Sequence, residues 1–358
     1  VLAAPLLDRT VLYDTVSETA HVLNASAALV WEACDGSTTV AELAAEVAEI
    51  TGAAAPTVAA DINGYLADLA EAGLVRRATP APEPLDEAVV PVRGAHRSAV
   101  HAVIDDGVAF RSDDPALVGA VDALLGPTAD DARPVTVELE LVPEPSGAVV
   151  LRGRGADRSY DSLEALLTVL PTALNQIAAT NAACLTLHSG GVQAPDGSIV
   201  LLPAVSGSGK TTLTAALVQA GWGYLSDEAV GVRAGSLLAV PYPKPLVLDP
   251  TSRAALGLPE AESPNVAPRE LRPGGTVLVG EVGPVARVVL PRYESGAPLR
   301  SEDLAPQEAV IAILEHALNL ARVGVAGLEA LCQLAERVPV QRLVHGGIDQ
   351  AVAHLCTA

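Results

Sequence analysis

The stretch Ser206-Gly207-Ser208-Gly209-Lys210-Thr211-Thr212 decides how the chain is read. Ile199 to Ala204 before it is short and apolar, as a buried strand is. Leu213, Leu217 and the alanines after it carry a helix that Gly221 stops. Strand, glycine-rich turn and helix make the setting in which G-K-T becomes a phosphate cradle, the Walker A arrangement. Gly207 and Gly209 let successive backbone N–H groups converge on one anion. The helix adds the positive end of its dipole, Lys210 adds a mobile charge and Thr211 offers a hydroxyl to Mg²⁺. Ser206 to Thr212 are therefore the expected phosphate-binding residues. The first glycine of G-x-x-x-x-G-K-[ST] is Ala204 here, a position that ends the strand, so the loop is expected to survive. A glycine-rich loop of purely structural meaning is the alternative. The expected ligand is a nucleoside triphosphate.

With 358 residues, half of them hydrophobic, the chain has material for two or three domains. One Phe and two Trp leave the core to small aliphatic side chains. A net charge of −21 argues against nucleic acid or an anionic membrane as partner. No apolar run reaches bilayer length and no charged-then-apolar leader opens the chain, so a cytoplasmic protein is expected. The chain has no methionine, not even at position 1, which lowers the weight of the missing leader. Cys34, Cys184, Cys332 and Cys356 are scattered and read as ordinary reduced thiols.

Leu6 to Val16 alternates loosely as a strand does, and Ala20 to Leu23 can pair with it. Helices follow over Leu29 to Cys34, Val40 to Ile50 and Pro56 to Leu69, capped by Asn24 or Ser26, by Thr38 or Thr39, and by Pro56. Two strands and three short helices make a winged-helix unit. The segments His21-Val22-Leu23-Asn24, Ala28-Leu29-Val30-Trp31, Asp35-Gly36 and Leu69-Ala70-Glu71-Ala72-Gly73-Leu74-Val75 resemble the PqqD-like family over most of positions 1–78. That resemblance implies binding of the leader of a ribosomally made precursor peptide (a RiPP precursor). The leader would lie as an added strand, in a groove between Ala20–Leu23 and Val58–Leu69. Binding of DNA would need a basic recognition helix, which the first 78 residues lack. Purely structural packing of this unit is a further alternative.

Residues 79–88, with Pro80, Pro82 and Pro84, read as an extended linker. Strand-like runs at Val89–Val92, Val135–Val142 and Ala148–Leu151, with a helix near Leu117–Leu125, make an accessory α+β subdomain over 89–165. Asp105-Asp106 and Asp130-Asp131 read as solvated turns, and His96 and His101 fit no metal spacing. A helix from Leu163 leads to Leu185–His188, a strand ending in histidine. Ser189-Gly190-Gly191 then turns the chain, and Pro195-Asp196-Gly197 makes a hairpin before the phosphate loop. Gly223-Tyr224-Leu225 is a strand ending in Ser226-Asp227-Glu228. Tight alternation of helices and parallel strands would bring this acidic pair to the triphosphate, within reach of Mg²⁺; a solvent-facing turn is the alternative.

The strand–loop–helix–strand–acidic-pair unit, preceded by His188, resembles the HPr kinase/phosphorylase family, in the branch found beside peptide-maturation modules. The likeness spans Ala183 to the C terminus and includes Pro241-Tyr242-Pro243-Lys244-Pro245 and Val288 to Tyr293. It implies an α/β P-loop kinase domain over 166–358, HPr-kinase-like, behind the winged-helix PqqD-like domain. ATP and Mg²⁺ are the implied cofactors, with Lys210 and Thr211 holding nucleotide and metal. Asp227 would accept the proton of the acceptor hydroxyl and Glu228 would support Mg²⁺, although this sequence has Asp-Glu where the family has Asp-Asp. His188 would contact the phosphoryl group or acceptor, or is a satisfied strand-end histidine. Lys244 is a candidate second phosphate or acceptor contact, and Arg253, Arg269 or Arg272 a candidate transition-state charge.

The expected activity is phosphorylation of a Ser or Thr hydroxyl of a precursor peptide recruited through its leader. The alternatives are a nucleotide-gated leader chaperone without phosphotransfer and a kinase of an HPr-like phosphocarrier. The parent family often forms hexamers, so a homo-oligomer stays open.

Overall fold

The structure, a computed structural model, describes residues 1–34, 38–52, 54–72, 74–75, 92–153, 157–205 and 207–357, the side chains of residues 50 and 51 excepted. The chain divides into two units, Val1–Leu85 and Asp86–Ala358. The expected linker, 79–88, lies outside the described residues, as do the Asp35-Gly36 turn, Gly73 and Ser206.

In the first unit the expected single strand is two. β1 (Leu2–Leu6) and β2 (Arg9–Asp14) are antiparallel and joined through Leu7 at φ 55°, and β3 (Thr19–Leu23) pairs with β2. Loose alternation concealed this tight turn, because a leucine gives no turn signal. α1 (Ala25–Glu32) starts where the Asn24 side chain accepts from Ala27 N, and α2 (Val40–Thr51) starts at a reciprocal Thr39–Glu42 capping box. Such a cap contributes about 1 kcal/mol. α3 (Ala55–Glu71) follows, and Leu12, Leu23, Ala28, Leu69 and Leu74 form one core cluster while Val30, Ala44, Val58 and Ile62 form another.

The second unit opens with a six-stranded sheet. Its strands are β4 (His96–Arg97), β5 (His101–Val103), β6 (Asp106–Ser112), β7 (Val137–Pro143), β8 (Val149–Arg152) and β9 (Arg158–Tyr160), with α4 (Pro115–Leu125) between β6 and β7. The expectation missed β4 to β6, because Asp105-Asp106 looked like a solvated turn. The pair is instead braced: Arg233 Nη1 donates to Asp105 Oδ2 at 3.0 Å and Thr136 Oγ1 donates to Asp106 Oδ1 at 2.5 Å. Against the upward push of burial, Arg233 holds the Asp105 carboxyl below its usual range. His101 is fully buried between Thr128 Oγ1 and Asp122 Oδ1. α5 (Leu163–Asn181) packs Leu166, Leu170 and Leu174 against this sheet in a core that continues into Ala229, Val240 and Tyr242.

An eight-stranded mixed sheet then carries the site. β10 (Leu185–Gln193) and β11 (Ile199–Pro203) form the expected hairpin, with Gly197 at φ 92°. α6 (Lys210–Gln219), β12 (Gly223–Ser226), β13 (Ala229–Val232) and β14 (Ala239–Val240) follow, then the two-stranded β15 (Leu246–Val247) and β16 (Asn265–Val266) around α7 (Pro250–Ala255). After α8 (Pro268–Leu271) come β17 (Val285–Tyr293), β18 (Arg300–Asp303), α9 (Pro306–Leu314), α10 (Leu320–Arg337), β19 (Val340–His345) and α11 (Ile348–Thr357). The sheet order is β14-β13-β10-β11-β17-β19-β18, with β12 also on β10.

Two expectations change here. β10 does not end at His188: Ser189-Gly190-Gly191 is strand, not turn. Its glycines serve close packing, since a Cβ on Gly190 would lie 2.5 Å from Thr214 Oγ1 of α6 and one on Gly191 2.9 Å from Val230 Cγ2. The loop strand β11 and the acidic-pair strand β12 are not neighbours either. Both run antiparallel to β10, which lies between them, so they are parallel to each other and their C-terminal ends still share one end of the sheet. Further along, the chain breaks between α9 and α10 because buried Asn319 is drawn to β10: it accepts from Thr186 N at 2.9 Å and donates to Cys184 O at 2.9 Å.

Candidate functional site

β11 is buried along its whole length, and Ala204, the residue after it, is 4% exposed, so the missing first glycine leaves the strand end intact. Gly207 and Gly209 take φ of 81° and 84°, the left-handed backbone that the turn requires. Gly209 is the N-cap of α6, and no side chain caps that helix, which leaves its first-turn donors for another acceptor. Lys210 is 5% exposed, and its Nζ has no hydrogen-bond partner among the described residues. Burial pushes its amine down to about 8, opposed by Glu228 and Asp227. Ser208 Oγ is likewise buried without a partner. Thr212 Oγ1 lies 2.9 Å from Ser252 Oγ. A buried, unpartnered ammonium beside uncapped helix N–H groups has the chemistry of an anion site.

The acidic pair splits into two environments. Asp227 is 1% exposed; Lys244 Nζ donates to its Oδ1 at 2.8 Å and Tyr224 Oη donates to the same atom at 3.2 Å. Its Oδ2 is buried and has no partner among the described residues. Glu228 is partly exposed, with Oε1 3.5 Å from His188 Nε2 and Oε2 3.6 Å from Lys244 Nζ. Burial raises its carboxyl, but the His188 hydrogen bond and the Lys244 and Lys210 charges more than reverse this, to about 2. His188 and Glu228 are placed together by register, since Ser189 N donates to Glu228 O at 3.0 Å.

Lys210, His188 and Glu228 line one cavity of about 710 Å³, together with Gly207 to Thr212, Asp249, Ser252, Tyr293, His345 and Ile348. That volume falls in the range of small-ligand pockets. Sequence reasoning offered Lys244 as a candidate second phosphate or acceptor contact. It is fully buried, off the cavity wall, and spends its charge on Asp227 and Glu228. The three suggested arginines also stand away from the cavity lining, and Arg253 donates to the Pro259 and Ser263 carbonyls instead. Tyr224, Tyr293 and His345 were missed. Tyr224 and Tyr293 each lay in a recognised strand, while His345 carried no signal.

Thr211 and Glu228 line the cavity, whereas Asp227, which sequence reasoning placed at the metal, is 1% exposed and stands behind that lining. Hydroxyl and carboxylate oxygens are ligands of the kind Mg²⁺ takes alongside phosphates. Among the described residues no group of three or more His, Cys, Asp or Glu is arranged to hold a metal ion.

In the first unit, β3 is an edge of its sheet, with Ala20, His21 and Val22 half-buried. On α3, Val58, Ile62 and Leu69 are all buried in that unit's own core, so they do not face an open groove. Tyr65 and Leu66, only partly buried, are the larger α3 side chains left near the surface.

Among the described residues no helix is long and apolar enough to cross a membrane. No curated protein matches the chain. Residues 9–75 match the family model described as coenzyme PQQ synthesis protein D (PqqD), and the N-terminal unit is therefore a PqqD domain.

Proposed function

We propose that the protein transfers the γ-phosphoryl group of ATP to a Ser or Thr hydroxyl of a precursor peptide captured by its PqqD domain. The PqqD family suggests a precursor-peptide-binding role in RiPP maturation. The observation that carries the kinase half is the buried, unpartnered Lys210 Nζ at a glycine loop that opens an uncapped helix.

Backbone N–H groups of Gly207 to Thr212 and the Lys210 ammonium hold and neutralise the phosphates, which is most of what phosphoryl transfer asks of a protein. Mg²⁺, when bound, draws charge from the phosphate oxygens. Thr211 would hold it, with Asp227, its Oδ1 fixed by Lys244 and Tyr224, supporting the site from behind the lining. The acceptor hydroxyl oxygen forms the new P–O bond, the bond to the β-phosphate oxygen breaks, and ADP leaves. The hydroxyl proton passes to the His188–Glu228 pair, which faces the cavity. This exchanges the roles that the resemblance gave to the two acids, because Asp227 Oδ1 is already occupied. Tethering the leader raises the local concentration of the core peptide to the order of millimolar, so loose recognition of the acceptor suffices.

Mass spectrometry of the precursor peptide after incubation with protein, ATP and Mg²⁺ tests the reading. The expected result is a gain of one phosphoryl mass that Lys210→Ala abolishes. A peptide that binds but stays unmodified, with ATP altering its affinity, would replace the kinase with a gated chaperone.

A further inference from the structure

Tyr293 and His345 are register partners on the parallel strands β17 and β19, at the same end of the sheet as the glycine loop. Their rings stand 5.7 Å apart at 57°, and both line the cavity with Ile348. Tyr293 is tied to the loop, since its N–H donates to Ser208 O at 3.1 Å and its Cβ would lie 3.2 Å from a Cβ on Gly209. Tyr293 is nevertheless 48% exposed, which leaves room for a flat group to stack beyond the phosphates.

His345 is different in kind. It is 1% exposed, and its Nδ1 lies 3.1 Å from the Gly347 carbonyl. A carbonyl only accepts, so Nδ1 carries the proton and Nε2 is a bare acceptor. That Nε2 is buried and has no partner among the described residues. Burial pushes the imidazole below its ordinary value, opposed by the Gly347 carbonyl, so the ring is neutral at pH 7. His345 belongs to the cavity lining, and a neutral acceptor buried there without a donor is costly unless a ligand brings one.

We infer that Tyr293 and His345 form the nucleobase subsite, with Tyr293 stacking on the base and His345 Nε2 accepting a hydrogen bond from its exocyclic amino group. The inference rests on the nucleotide reading of the glycine loop and adds the chemistry of the base: an amino-bearing purine.

The test is binding of ATP, purine riboside 5′-triphosphate (the same ring without the amino group) and inorganic tripolyphosphate to the full chain with Mg²⁺. ATP is expected to bind about tenfold more tightly than the purine riboside compound, the size of one hydrogen bond with a buried acceptor. His345→Phe is expected to erase that gap by weakening ATP alone, and Tyr293→Ala to weaken both nucleosides while sparing tripolyphosphate. The ligand comparison on the unaltered protein stands even if His345→Phe fails to fold. Equal binding of the two nucleotides, or a gap that persists in His345→Phe, overturns the base subsite and leaves nucleotide binding intact. Binding of none of the three compounds overturns both.

Discussion

Lys244 and Asp227 form a fully buried ion pair, Nζ to Oδ1 at 2.8 Å, directly beside the cavity that holds Glu228 and Lys210. Breaking such a pair leaves one uncompensated buried charge and costs about 3–5 kcal/mol. Lys244→Met is therefore expected to lower stability by that order in urea unfolding. Adding Asp227→Asn should recover much of the loss, while nucleotide turnover stays absent. Equal stability of Lys244→Met and the unaltered protein would remove this pair from the account.

Lys210 gives a pH signature. Its folded-state pKa of about 8 lies below the ordinary lysine value of 10.5, so the folded protein binds fewer protons than the unfolded chain between those values. Stability lost to the buried charge is then regained as pH rises from 8 towards 10.5. At pH 7 Lys210→Met is expected to be more stable than the ligand-free protein by on the order of 3 kcal/mol. The difference should shrink above pH 8. Thermal unfolding across pH 6–10 checks both the sign and the window.

Gly190→Ala places a methyl 2.5 Å from Thr214 Oγ1, beside Lys210 Cγ at 3.5 Å. Overpacking of this kind costs about 1–3 kcal/mol. Because Thr214 stands on α6, one turn from Lys210, ATP affinity should fall along with the melting temperature. Gly190→Ala/Thr214→Ala, which removes the offending oxygen, is expected to restore part of both, and no restoration would contradict this account.

Glu228→Gln removes the proton-accepting charge beside His188 and should lower turnover by about 10²–10⁴-fold. Since the Glu228 carboxyl lies at about 2, it stays ionised throughout the working range. A pH–rate profile should therefore show no acid limb from this group near its ordinary value. A limb near pH 4–5 that vanishes in Glu228→Gln would show that the carboxyl is not held down by His188 and the two lysines, and unchanged turnover in Glu228→Gln would refute its role as proton acceptor.

Proline at two successive β3 positions separates the roles of the strand's two sides. Neighbouring N–H groups in an antiparallel edge strand point alternately to the partner and to the open side. Of His21→Pro and Val22→Pro, one should abolish leader binding with the domain still folded, and the other should destabilise the domain. Leader binding retained in whichever variant stays folded would show that the open edge is not the binding site. Fluorescence anisotropy of a labelled leader peptide reads the first effect and circular dichroism the second.

The elements that repeat a strong local rule were readable in the residues. The Thr39–Glu42 capping box, the Asn24 cap and the Asp196–Gly197 hairpin all formed where their residue chemistry put them. Ser189-Gly190-Gly191 misled because glycine marks both a turn and a close approach, and only the position of α6 distinguishes them. Asp105-Asp106 misled because Arg233, its partner, lies far along the chain. The loop glycines and Lys210 were legible from their spacing. The occupation of Asp227 was not, because it depends on Lys244 and Tyr224 converging in space from separate segments.

The bond from Tyr293 N to Ser208 O is made by main-chain atoms alone. Any residue except proline can supply that N–H, so the anchoring of the loop does not depend on which side chain occupies position 293. A substitution there can alter the choice of ligand without loosening the loop, and proline is the one replacement that would cut this anchor. The fold thus separates durability from selectivity at a single residue, leaving its side chain open to evolutionary or engineered change.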